Sequence, residues 1–154
     1  MVEVGNIAPD ASFTAPDGSA RNISDYRGKN LVVYFYPKDD TPGCTKEGQE
    51  FSALSSEFVA ANTAIVGVSK DSEKSHSKFI AKYDLKVELG SDVGGDVCEA
   101  FGTWVEKSMY GKQYMGIERA TFLIGVDGKV ARIWRKVKVP GHAAEVLEAA
   151  RALG

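Results

Sequence analysis

Cysteine and histidine are scarce in this chain of 154 residues, with two of each. A fold stapled by disulfides needs more cysteines and is usually smaller and secreted. A zinc site needs clustered ligands, whereas His76 and His142 are scattered. No metal and no cofactor are expected. An excess of one charge is also lacking. The formal net charge of −2 gives no general electrostatic reason to expect a nucleic-acid partner. No apolar run approaches the roughly 18 residues that suggest a membrane span. Met1 to Tyr26 has neither the basic start nor the apolar core of a signal peptide. Repeats, linkers and low-complexity segments are missing too. These absences lead to the expectation of one cytoplasmic domain over residues 1–154, free of membrane and nucleic acid and long enough to bury a core. Its cysteines are expected to serve intracellular thiol chemistry.

The informative stretch lies in the first third of the chain. Leu31 to Tyr36 is apolar, β-branched and aromatic, as a buried strand is. Pro37 to Gly43 is dense in Pro, Asp and Gly and predicts a sharp connection. Beyond Cys44, the residues Phe51, Leu54 and Phe58 fall on one face of a helix expected to run to about Ala61. Thr41 suits the N-cap, and Pro42 suits the first helical position, where its missing N–H has no partner anyway. Cys44 then lies among the unpaired N–H groups at the positive end of the helix dipole. Such a place favours thiolate, the nucleophilic form. A small residue packed in the core is the other reading of a free cysteine.

The rest of the chain alternates short strands and helices. Pro16-Asp17-Gly18 marks a turn, so the first segment forms a small hairpin. Ile23 to Lys29 reads as a helical turn or loop, and Ala64 to Ser69 as a second buried strand, parallel to the first. Asp71 or Ser72 can cap a helix whose apolar stripe holds His76, Phe79, Ile80 and Tyr83, which gives His76 a partly buried structural place. A weak strand at Val87–Leu89 and a short helix from about Asp96 to Phe101, carrying Cys98, come next. Thr103 to Glu118 has no clean period and is read as a long connection. Asp127-Gly128 joins two strands, Thr121–Gly125 and Lys129–Trp134, and Pro140 opens a last helix with His142 exposed in its first turn. This order fits several α/β folds.

Pro37-x-x-x-Thr41-x-x-Cys44 resembles the active-site motif of the peroxiredoxins. The run Tyr36 to Thr45 closely resembles the peroxiredoxin Q branch, the bacterioferritin comigratory proteins. Ala8-Pro9-Asp10, Phe101-Gly102, Glu106-Lys107-Ser108 and Gly116-Ile117-Glu118-Arg119, followed by Thr121 to Ile124, extend the likeness over nearly the whole chain. The resemblance implies a thioredoxin-like fold, with a central mixed β-sheet flanked by helices and an N-terminal β-hairpin. It also implies an antioxidant thiol peroxidase that reduces hydrogen peroxide and organic hydroperoxides through a Cys44 sulfenic acid, recycled by thioredoxin or another thiol reductant, and acting as a monomer.

In that reading Cys44 is the nucleophile and Arg119 the fixed cation beside it, suited by its rigid fork of donors. Thr41 bonds a peroxide oxygen or the thiolate, Pro37 shields the thiolate, and the Gly43 and Cys44 backbone N–H groups are substrate donors. Lys38, Asp39 and Asp40 read as a solvated loop, and Glu47 as a residue that caps or pairs with a neighbour. The site spacing Thr41-Pro42-Gly43-Cys44 has a hydroxyl where a thioredoxin has its first thiol, which argues against a thiol-disulfide oxidoreductase. Many members of the branch carry a second cysteine five positions after the nucleophile; Gln49 stands there. Recycling is then left to an external thiol, or to Cys98 of the same or another chain, itself also readable as a core residue. A peroxide sensor or holdase would use the same Cys44.

Overall fold

The computed structural model describes residues 2–153. Its centre is a seven-stranded mixed sheet in the order β2-β1-β5-β4-β3-β8-β9. The strands are β1 (Ser12–Thr14), β2 (Ala20–Asn22), β3 (Asn30–Phe35), β4 (Thr63–Ser69), β5 (Glu88–Ser91), β8 (Ala120–Ile124) and β9 (Val130–Trp134). β3 pairs in parallel with β4, which pairs in parallel with β5, while β8 runs antiparallel on the other side of β3. The expected N-terminal hairpin is β1–β2, closed by Ala15 and Ser19. This is the mixed, helix-covered sheet that the resemblance implied.

β3 is buried at every position, which explains its unbroken apolar run. Its alternating side chains feed two cores. Leu31, Val33 and Phe35 face one side, with Val97, Cys98 and Phe101 from α4 (Asp96–Ala100) and the turn after it. Val32, Tyr34 and Tyr36 face the other, with Cys44, Phe51, Phe58, Phe79 and Val146 from four helices. Those helices are α1 (Pro42–Ala53), α2 (Ser55–Ala60), α3 (Glu73–Tyr83) and α5 (His142–Ala152). The two cysteines therefore lie on opposite faces of the sheet.

Two expectations about elements are corrected. The single helix to Ala61 is divided at Leu54, where the Leu54 N–H bonds the Phe51 carbonyl and the Glu57 N–H bonds that of Leu54, so the ladder tightens to three-residue steps. Thr103 to Glu118 is not a loop but mainly a two-stranded ribbon, β6 (Trp104–Met109) and β7 (Lys112–Ile117). Its turn is Tyr110-Gly111, both with positive φ, as a tight hairpin requires. The ribbon is wet on both faces near its tip, where Met109, Tyr110, Tyr114 and Met115 are exposed. No period-two pattern of burial was there to be read. No helix among the described residues is long and apolar enough to cross a membrane.

Candidate active site

α1 begins where the sequence places it. Thr41 is the N-cap with extended backbone, and Pro42 is the first helical residue. The first four-residue bond runs from the Thr45 N–H to the Thr41 carbonyl at 2.8 Å. The N–H groups of Gly43 and Cys44 precede that bond, so they point out of the helix end. Thr41 differs from a usual cap: its Oγ1 donates to the Lys38 carbonyl at 2.8 Å rather than accepting from the helix. The hydroxyl proton is thus committed, and the oxygen lone pairs are left to accept.

Cys44 is 2% exposed and sits at the edge of the α1–α5 core. Arg119, between β7 and β8, reaches it across the sheet end. Its Nη2 donates to Cys44 Sγ at 3.3 Å, and its Nη1 donates to Glu47 Oε1 at 2.6 Å. One guanidinium therefore binds the sulfur and a buried carboxylate at once, which a lysine could not do with a single rigid geometry. Gly43 leaves room for the approach: a Cβ there would lie 3.2 Å from Arg119 Nη2, a tight contact. Pro37 stands exposed at the start of the loop. Sequence spacing alone did not bring Arg119 to Cys44; the family likeness did, and the fold puts the two in contact.

Glu47, expected to cap or pair with a neighbour, pairs with Arg119. It is 1% exposed, and its second oxygen has no hydrogen-bond partner. Burial pushes its carboxyl up to about 7 despite the opposing pull of Arg119. Burial works against the charge of Arg119 as well, but Glu47 and Cys44 outweigh it and raise the guanidinium further. Lys107 on β6 faces the same cluster; burial and then Arg119 lower its ammonium. On its outer side Arg119 lines an open groove with Val105, Lys107, Glu118 and Val137. The arrangement offers a sulfur nucleophile, a fixed cation and N–H donors at one helix end.

The acidic loop is not simply solvated. Asp40 is exposed but receives Lys82 Nζ at 2.8 Å and the Tyr83 hydroxyl at 2.6 Å. Asp39 is buried, and its carboxylate faces His76, which is wholly buried rather than partly so. Asp39, Asp71 and His76 bring ligand-type atoms within 4.8 Å of one another, but those atoms are engaged in hydrogen bonds within the cluster and to Ser69. His142, expected to be exposed, is 5% exposed. Its Nε2 pairs with Thr121 Oγ1 at 2.8 Å, with Phe51 and Trp134 edge-on around the ring. Burial, with Arg119 adding to it against the pull of Glu145, lowers the imidazole to about 4. The helix start after Pro140 gave no sign that this first-turn side chain folds inward.

Cys98 is fully buried on α4. Burial, followed by the nearby Asp92, pushes its thiol far up. It is well placed as a core residue, with the sheet between it and Cys44.

The chain matches the AhpC/TSA family over residues 4–133. It is 50% identical over 148 residues to the peroxiredoxin Bcp of Xanthomonas campestris, covering 94% of this chain and 92% of that one. With the putative peroxiredoxin bcp of Coxiella burnetii it shares 47% identity over 146 residues, covering 95% and 97%. Among solved structures, the Xanthomonas campestris bacterioferritin comigratory protein, described for alkyl peroxide reduction, superposes with a TM-score of 0.90 at 47% identity, over 99% of this chain and 97% of that one. The likeness runs along nearly the whole chain, and the chain belongs to the AhpC/TSA family of peroxiredoxins, in the Bcp or peroxiredoxin Q branch.

Proposed function

We propose that this protein is a thiol peroxidase in which Cys44 reduces hydrogen peroxide and organic hydroperoxides, and that an external thiol recycles it. The observation that carries the reading is the Arg119 contact with Cys44 Sγ at 3.3 Å, at the unpaired end of α1. The thiolate attacks the terminal peroxide oxygen in line with the O–O bond. A sulfur–oxygen bond forms and the O–O bond breaks, so sulfur loses two electrons and becomes sulfenic acid. The departing oxygen takes the electron pair and a proton from water, leaving as water or an alcohol.

Each neighbour has a part in this step. Arg119 offsets the sulfur charge in the ground state and the charge that develops on the peroxide oxygens. The Gly43 and Cys44 N–H groups donate to the same oxygens. Thr41 Oγ1, whose own proton goes to Lys38, accepts from the peroxide O–H. Pro37 walls the loop side. Glu47 orients Arg119 from behind.

A thiol reductant then attacks the sulfenic sulfur, releasing water and forming a mixed disulfide that a second thiol opens. The burial of Cys98 on the far face of the sheet, and Gln49 where the branch often has cysteine, support this one-cysteine route. Resolution by Cys98 of the same chain would require local opening that brings the two Cα atoms within about 7 Å, from burial on different faces of the sheet.

The test is peroxide consumption with dithiothreitol as reductant. Wild type should turn over and Cys44→Ser should not. Turnover retained by Cys44→Ser would refute the reading.

A further inference from the structure

We propose that His76 is a positioning residue for the peroxide site: a proton held between its Nδ1 and the Asp39 carboxylate fixes the loop 37–41 that leads into Cys44. The proposal rests on the peroxidase reading above, but its basis is a buried network that the reaction itself never touches.

His76 Nε2 lies 3.1 Å from the Gly90 carbonyl oxygen on β5. A carbonyl only accepts, so Nε2 carries a proton. Nδ1 lies 2.7 Å from Asp39 Oδ2. Two hydroxyls already donate to that carboxylate, Tyr36 to Oδ1 at 2.6 Å and Ser75 to Oδ2 at 2.7 Å. Tyr36 is a donor because burial, then Tyr34 and Asp39, keep its phenol protonated. A ring with a bare lone pair on Nδ1 would set that lone pair against an anionic oxygen at hydrogen-bond distance. A second ring proton removes the conflict and leaves the pair with no net charge.

Other groups face the pair. The Tyr36 hydroxyl of β3 is 3.4 Å from Nδ1, and the Asp71 carboxylate, before α3, takes the Asp39 N–H at 2.9 Å and the Ser69 hydroxyl at 2.7 Å. Asp39 also lines an open groove with Lys74, Lys78 and Lys82 of α3, and of these Lys82 is engaged by Asp40.

The clamp reaches the site through the backbone. Asp39 follows Lys38, whose carbonyl receives the Thr41 hydroxyl. Fixing Asp39 therefore fixes the direction of Thr41 Oγ1. Asp40, next in line, turns the chain with a left-handed φ of 58° and is held by Lys82 and Tyr83.

Three measurements on the full chain test this. In the wild type, nitrogen-resolved NMR should show a slowly exchanging Nδ1 proton at low field on His76, beside the proton on Nε2. In His76→Leu, the hydrogen peroxide kcat/KM should fall about 10- to 100-fold, while alkylation of Cys44 by iodoacetamide, which needs no peroxide pocket, stays within about twofold. His76→Asn keeps a donor toward Asp39 without reaching Gly90, and should recover part of the rate; it also carries the test if His76→Leu fails to fold. An unprotonated Nδ1 in the wild type would overturn the proposal. So would an unchanged peroxide rate in a folded variant, or parallel losses of peroxide and iodoacetamide reactivity. Peroxide turnover by Cys44→Ser would overturn the peroxidase reading instead, and the NMR result would still stand by itself.

Discussion

Arg119 holds Glu47 at 2.6 Å with one nitrogen and reaches Cys44 Sγ at 3.3 Å with the other. The carboxylate and the cysteine are three residues apart on α1, so they share a helix face one turn apart. The guanidinium spans that face like a brace. Its position is set from behind by a group that never meets substrate, and in front by the sulfur it serves.

Arg119→Ala should lower the hydrogen peroxide kcat/KM by about 10²–10³, the usual loss when a preorganised donor to developing charge is removed. Arg119→Lys should recover little, because a single ammonium cannot bond Glu47 and Cys44 together in one fixed geometry. Steady-state kinetics on both variants checks this. A lysine variant with full activity would mean that charge alone suffices.

Gly43→Ala tests the approach of the brace. The added Cβ meets Arg119 Nη2, the nitrogen that faces sulfur, at 3.2 Å. The side chain end can yield by a few tenths of an ångström, so stability should hold while turnover drops by about tenfold through misplacement. Urea unfolding midpoints and kcat/KM measured together decide it. Unchanged turnover would show that the contact tolerates displacement.

Two buried groups give stability opposite slopes with pH. Glu47 has a folded value of about 7 against an ordinary 4.5, so the folded state holds the extra proton. Its contribution is full below pH 4.5 and is lost as pH rises to about 7. His142 has a folded value of about 4 against an ordinary 6.5, and its contribution is lost as pH falls through that window. The two oppose each other between pH 4.5 and 6.5. Glu47→Gln removes the first, so its unfolding free energy should rise more steeply with pH there than that of wild type. Equal slopes by denaturant titration would place the Glu47 carboxyl in the ordinary range.

The site's first framework was legible because it is local. An apolar run, a Pro- and Gly-rich break and a helix-spaced stripe fix a strand, loop and helix within some thirty residues, and with them the place of Cys44. Arg119 lies 75 positions away, and only the pairing of β3 with β8 brings it near. The family likeness supplied what spacing could not. Asp39 and His142 were misread for another reason: both are polar residues in turn-like or helix-start contexts, where exposure is the usual outcome. Their burial depends on partners 37 and 21 positions distant, His76 and Thr121. The β6–β7 ribbon was missed because neither of its faces is consistently buried, so no alternation marks it.

The most direct measurement is intact mass after one equivalent of hydrogen peroxide, on wild type and on Cys98→Ser. A one-cysteine site at Cys44, with Cys98 sealed behind the sheet, predicts the gain of a single oxygen in both proteins, abolished by Cys44→Ser. Loss of two hydrogens in wild type, absent from Cys98→Ser, would reveal a bond between the cysteines and contradict the account.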